Sequence, residues 1–393
     1  MSTETVELIL PTAFGLEAVV ARELTALGYA ETATENGRIS VRGPLSGICA
    51  LNLRLRSAER VLWRIGEFDA RDFGELFDRT HALNWERMLP VDAAFPVRAK
   101  SVRSRLSHTP SVQSIVKKAV VEALHRKYRR KRFDESGPTF AIDVSLLKDR
   151  VTLCIDTTGP GLHKRGYRSW IGPAPLKETL AAGLVQLSYW NAERPFWDPV
   201  CGTGTIAIEA AMIARNMPPG MNRSFPSENW PLLVDAWTRA RDAARDAIRP
   251  DLPELLMATD VDDRSIRAAR RHAQQAGVDA DIHFQRLPVA EVSSPRRFGC
   301  AICNPPYGER TGPGTEVEQL YREMRNTFER LKDWSYFVLT SRADLERLLG
   351  RKADRKRKLY NGRIECAYYQ IHGPRPHDRT QRFRESGDSN GED

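Results

Sequence analysis

The sequence predicts an α/β protein in two parts, a small α+β module followed by a doubly wound, mainly parallel sheet. Three observations carry this. Short strands and helices alternate through residues 5–156. A stretch crowded with glycine, proline and basic residues, GPGLHKRGYRSWIGPAP, then breaks the rhythm. From Leu176 to about 372 the chain settles into repeated strand–helix units. At 393 residues, 41% of them hydrophobic, the chain is long enough for two or three folded domains.

The elements follow in order. VELIL opens as a strand, and FGLEAVVARELTALG has apolar residues at helical spacing until Gly28 stops it. GRISVRG is a strand and PLSGICALNLRLR a helix. RVLWRIGEF and AFPVRAK are strands, with DFGELFDRTHAL helical between them. SVQSIVKKAVVEALHRKY is the clearest helix, with Ser111 as its N-cap. TFAIDVSLLKDRVTLCIDTTG holds two alternating runs joined at Lys148-Asp149, a hairpin. In the second part PFWDPV, ELLMATD, DIHF, FGCAICN and SYFVLTS are strands, and helices follow Thr203, Asp263, Thr315 and Arg342. The boundaries this sets are 1–56 and 57–156 for two N-terminal modules, 157–175 for a connection and 176–372 for the second sheet. A polar tail, 373–393, is expected to be disordered.

Composition narrows the function. The formal net charge of +9 suggests a polyanionic partner. No stretch approaches the ~20 apolar residues of a membrane span, and MSTETVELIL lacks the basic flank of a secretion signal. The six cysteines are scattered, as in a reducing compartment, so the cytoplasm is the expected location. Cys300 and Cys303 form a single CxxC inside an apolar strand, where residues three apart face opposite sides, so no metal site is expected.

The first strand of the second part runs into DPVCGTGTIAIEAAMIARNMPPG. Gly202 and Gly204 sit where strand turns to helix, letting a ligand approach the backbone and the helix N-terminus. G-T-G-T-I-A also satisfies a dinucleotide fingerprint, but two spacings oppose it. The next strand ends at Asp260, far beyond the ~20 residues that fingerprint wants, past an inserted region at 217–250. Asp198 directly precedes the glycines and would repel a pyrophosphate. S-adenosylmethionine, with its sulfonium, amino group and ribose diol, fits better. Asp260 is placed to take the ribose, whereas Asp262 or Asp263 reads as a helix N-cap and Gly277 as the stop.

NPPYG lies at the end of another strand, on the same edge of the sheet. By chance this word should occur in a chain this long on the order of once in ten thousand. An exocyclic amine on a nucleobase is a poor nucleophile, because its lone pair is delocalised into the ring. Acceptors held at its N–H groups favour the tetrahedral, positively charged transition state. Asn304 supplies a side-chain carbonyl and Pro305 a backbone carbonyl, Tyr307 can stack on the base, and Pro305 and Pro306 hold acceptors and ring in a fixed, separated geometry.

DPVCGTGTIAIEAAMIA, ATDVDD and NPPYGER together resemble the class I methyltransferases of the THUMP-containing RNA guanine-N2 methyltransferase family, bacterial large-subunit ribosomal type. GLHKRGYR followed by APLKETLAAGL is similar to that family's entry into its catalytic domain. The resemblance implies a ferredoxin-like plus THUMP RNA-binding module before a Rossmann-like methyltransferase domain. It implies that Asn304, Pro305, Pro306 and Tyr307 bind the target amine. Asp198, Pro199, Cys201, Gly202, Thr203 and Gly204 would hold the methionine part of S-adenosylmethionine, and Asp260 with Val261 the ribose side. One departure stands out: IHFQRLPVAEV offers Leu287 and Pro288 where many such enzymes have an acid for the adenine amine, which leaves backbone groups or Gln285.

Basic residues cluster in RAKSVRSR, HRKYRRKR and HKRGYR. Arg103, Arg105, Arg126, Lys127, Arg129, Arg130, Lys131, Arg132, Lys164 and Arg165 are the candidate RNA contacts. RKADRKRK is a fourth cluster or simply a loop. The expected partner is ribosomal RNA, with tRNA as the close alternative. A DNA adenine-N6 enzyme and a non-catalytic RNA-binding assembly factor are the rivals; the intact NPPY opposes the latter.

Overall fold

The computed structural model describes residues 5–168, 176–308 and 315–374. Part of the expected connection, 169–175, and the tail from 375 lie outside the described residues. The chain forms two compact units. One takes everything up to Gly183 together with Arg215–Pro250; the other takes Leu184–Ala214 and the chain from Asp251 onward.

The first unit runs β1 (Thr5–Pro11), α1 (Glu17–Ala26), β2 (Thr32–Glu35), β3 (Arg38–Pro44), α2 (Gly47–Arg54), β4 (Leu62–Asp69), α3 (Phe73–His81), β5 (Val97–Val102), α4 (Thr109–Tyr128), β6 (Ile142–Leu147) and β7 (Arg150–Asp156). Its strands make one seven-stranded sheet in the order β2-β3-β1-β4-β7-β6-β5. All pairs are antiparallel except β5 with β6. The two N-terminal modules therefore share a single sheet through β1 and β4. The β6–β7 turn is at Lys148-Asp149 as expected, with both residues at positive φ (54° and 65°), the backbone twist that a tight hairpin demands. α4 starts earlier than expected: His108, not Ser111, is its N-cap, and the His108 ring accepts from the Ser111 N–H. Pro110, preset for the first helical turn, draws the start forward.

α5 (Glu178–Leu187) leads out of this unit, and β8 (Phe196–Asp198) and α6 (Thr205–Ala214) belong to the second. α7 (Val234–Asp246) lies in the inserted region and packs in the first unit. Trp230 fixes the insert there. Its ring stacks on Phe140 at 4.3 Å between centroids, and its N–H donates to the Thr139 carbonyl at 2.9 Å. Trp230, Leu233 and Trp237 join the same core as β1, β4 and β6.

The second unit continues with β9 (Leu256–Asp260), α8 (Asp263–Ala276), β10 (Ile282–Arg286), β11 (Cys300–Cys303), α9 (Thr315–Arg330), β12 (Ser335–Thr340), α10 (Leu345–Leu349), β13 (Arg355–Asn361) and β14 (Ile364–Ile371). The sheet order is β10-β9-β8-β11-β12-β14-β13. The first five strands are parallel, and β14 and β13 run antiparallel at one side. The doubly wound sheet is as expected. The β13–β14 hairpin is not: half of RKADRKRK, the fourth basic cluster, is strand rather than loop.

Candidate active site

β8 and β11 are neighbours where the strand order reverses, β8 leading outward through β9 to β10 and β11 through β12. In open α/β sheets the crevice beyond the strand ends at such a reversal takes the ligand. The loops after these two strands are DPVCGTG and NPPYG. Register pairs Ala301 with Trp197, so both loops leave the sheet on the same rim.

Asp198 closes β8 at 1% exposure, and its Oδ1 is buried without a hydrogen-bond partner among the described residues. Burial pushes its carboxyl well above the usual range and nearby Asp260 adds to this, against a hydrogen bond from the Val200 N–H. A buried, half-satisfied carboxylate calls for a cation. Pro199 is buried, and Cys201 is a 7% exposed thiol pushed up by burial, then by Asp198 and Asp260. It is an inert part of the loop. Gly202 sits at φ +52° with open space where a Cβ would stand, so its bare backbone can face a ligand. Gly204, at φ +81°, is needed for packing: a Cβ would come within 3.0 Å of Ala269 and Phe284. The Thr203 carbonyl lies 3.2 Å from His272 Nδ1.

Asp260, expected to take the ribose, also ties the glycine loop to β9. Its Oδ2 accepts from the Gly202 N–H at 2.8 Å and its Oδ1 from the Asp262 N–H at 2.9 Å. Asp262 caps α8, accepting from Arg264 and Ser265, and Gly277 ends that helix in the left-handed region. Val261 beside them is 60% exposed, an apolar surface on the same rim. Asn304 and Tyr307 are half-buried, Pro305 is buried and Pro306 exposed. The prolines do not hold Asn304 and Tyr307 apart. The Tyr307 hydroxyl donates to Asn304 Oδ1 at 2.6 Å, because the turn brings the fourth residue back over the first. The Pro306 carbonyl accepts from Tyr321, whose hydroxyl is 3.0 Å from Thr340 Oγ1. Asn361 and Cys366, from the unexpected hairpin, meet the Tyr307 hydroxyl at 3.4 and 3.5 Å. Sequence reasoning missed both. Cys366 reads as one more core thiol, and Asn361 carries no signal at all.

The basic candidates divide. Arg103, Arg105, Arg126, Lys127, Arg129, Arg130, Lys131, Arg132 and Lys164 are exposed. Arg165 is not: at 2% exposure its guanidinium donates to the carbonyls of Leu162 and Arg56, so the expectation that it touches RNA is corrected. Tyr167 is likewise buried. That stretch is basic because its arginines bond backbone carbonyls, joined by Arg223 from the insert, which donates to Gly161 and Lys164. Among the described residues no cluster of His, Cys, Asp or Glu could hold a metal ion.

A Rossmann-like sheet with an acid-then-glycine loop beside NPPY at its reversal point defines an S-adenosylmethionine-dependent methyltransferase. Residues 165–370, more than half of the chain, match the family described as RMKL-like, methyltransferase domain. Residues 7–62 match the RlmL ferredoxin-like domain and 70–156 the THUMP domain. The chain belongs to the RMKL-like methyltransferase family, and S-adenosylmethionine is its cofactor. It is 45% identical over 366 residues to YpsC of Bacillus subtilis, which is provisionally named an RNA methyltransferase. That match covers 92% of this chain and 95% of YpsC. It is 32% identical over 370 residues to the ribosomal RNA large subunit methyltransferase K/L of Syntrophotalea carbinolica, covering 90% of this chain and 51% of that protein. The crystal structure of SMU.472, provisionally described as a methyltransferase and complexed with SAH, is similar with a TM-score of 0.91 and 44% identity, covering 95% of this chain and 99% of that one.

Proposed function

We propose that the protein is an RNA methyltransferase that moves a methyl group from S-adenosylmethionine to the exocyclic N2 amine of a guanine in large-subunit (23S) ribosomal RNA. The observation that carries this is the pairing of an Asn304–Pro305 acceptor edge with the Asp198–Gly204 loop on adjacent strand ends. The RNA is supported by the THUMP domain, by the exposed basic residues before and after α4, and by the printed names of two relatives.

When bound, the donor supplies an electrophilic methyl on its sulfonium; breaking that C–S bond leaves a neutral thioether, and the methylated amine, an acidic cation, gives one N–H proton to water. Asp198 would meet its amino group, the Gly202 backbone its methionine part, and Asp260 its ribose. Asn304 Oδ1 and the Pro305 carbonyl would accept from the two N–H bonds of the target amine, drawing its lone pair out of the ring as positive charge grows. These contacts strengthen in the transition state and so act on kcat. The Tyr307 ring would stack on the base, which must be unpaired or flipped to arrive. Such a substrate places the work in the cytoplasm.

The test is nucleoside mass spectrometry. Ribosomal and transfer RNA are incubated with the protein and a methyl-labelled donor, then digested. Label in N2-methylguanosine from large-subunit RNA is expected. Label confined to transfer RNA selects the alternative substrate, and label in N6-methyladenosine, or none in RNA, rejects the proposal.

A further inference from the structure

We infer that the Tyr307 hydroxyl is a positioning group that fixes which atom of the Asn304 carboxamide faces the target amine, and that Asn361 holds it to that task. This rests on the proposed role of Asn304 as an acceptor and deepens it.

A carboxamide has an acceptor on one arm and a donor on the other, nearly equal in size. Rotation by half a turn about its last bond exchanges them, so shape alone does not choose. With the nitrogen turned to the target, Asn304 would present a donor to the amine's own N–H bonds and repel them. The Tyr307 hydroxyl, 2.6 Å from Oδ1, removes that ambiguity only if its proton points at Asn304. The hairpin favours this. A phenol oxygen has one proton and two lone pairs; the Asn361 Nδ2 donates to it at 3.4 Å, and the Cys366 Sγ lies 3.5 Å away, its one proton shared between that oxygen and the Ile364 carbonyl at 3.7 Å. With a lone pair so engaged, the hydroxyl gives its proton to Asn304, its short partner at 2.6 Å. Burial holds the phenol far above its usual range, against the Asn361 donor, so it keeps its proton at any working pH. One lone pair of Asn304 Oδ1 is thereby committed to Tyr307, and the other is left for the amine.

Stacking alone would be served equally by phenylalanine, which makes Tyr307→Phe the informative change. Its kcat is expected to fall about tenfold, the worth of one ordinary hydrogen bond. Donor affinity and the KM for RNA should stay within about twofold, which a general structural defect would not do. The second measurement repeats the change in an Asn304→Asp background. A carboxylate offers an oxygen in either orientation and needs no orienting donor, so the loss from Tyr307→Phe is expected to shrink to about twofold or less. Wild-type kcat in Tyr307→Phe overturns the inference, as does an undiminished loss in the Asn304→Asp background. Full activity of Asn304→Ala is a different result. It would reject the acceptor role itself, and with it the proposed function of the motif.

Discussion

Asp198 is an acid whose surroundings penalise its charge. It is buried, one oxygen lacks a hydrogen-bond partner among the described residues, and its carboxyl is raised well above the ordinary range by burial and by Asp260. A raised folded-state value means that its stability contribution is full at low pH and is lost as pH rises through that value. Donor binding should run the other way. In the proposed site the ammonium of the methionine part would need the carboxylate, so affinity for S-adenosylmethionine is expected to weaken as pH falls through the raised value, above the usual aspartate range. Asp198→Asn should bind the donor at least about tenfold more weakly, with that pH dependence gone. Calorimetry from about pH 5 to 8 checks both. A variant that binds as tightly as the parent would remove Asp198 from the site. At this scale the sequence was informative about identity and poor about contact. Asp198, Gly202 and Asn304 stand out by type and order, yet the hydroxyl–amide bond inside NPPY depends on how far a two-proline turn curls back.

Elements were legible where burial imposes a pattern. β8, β9, β11 and β12 are apolar runs, and α8 carries both its cap and its stop. β13 escaped because it is an edge strand of the sheet: only Leu359 of its seven residues is buried, and RKRK shows no alternation. The packing of the insert escaped because its partners, Phe140 and Thr139, lie some ninety positions upstream, beyond any local pattern. The end of α4 carries a run of exposed basic residues that a polyanion could meet. Arg129 leaves the helix in the left-handed region, and Arg130, Lys131 and Arg132 follow it, all exposed. Reversing Arg129, Arg130 and Lys131 to glutamate is expected to weaken RNA binding and flatten the slope of log affinity against log salt, by about 0.7–0.9 for each phosphate no longer neutralised. A titration of RNA binding across salt concentrations reads this directly. An unchanged slope would make the cluster solvated surface.

In the whole molecule, chain order and packing diverge. The chain passes between its two units at Gly183, at Ala214 and again at Pro250, so the segment 215–250 interrupts the catalytic sheet in sequence while contributing its core to the first unit. The candidate rim belongs to the other unit. It arises from strand order alone, which brings Asp198 and Asn304, more than a hundred positions apart, onto adjacent strand ends. In the proposed function these two ends form one methyl-transfer site. The most direct test is a crystal structure of this protein with S-adenosylhomocysteine bound. The expected result is an amino group in hydrogen-bond reach of Asp198 Oδ1, a backbone contact at Gly202, and the sulfur turned toward Asn304 and Pro305. A sulfur facing away from that rim, or a ligand bound elsewhere on the sheet, would contradict it.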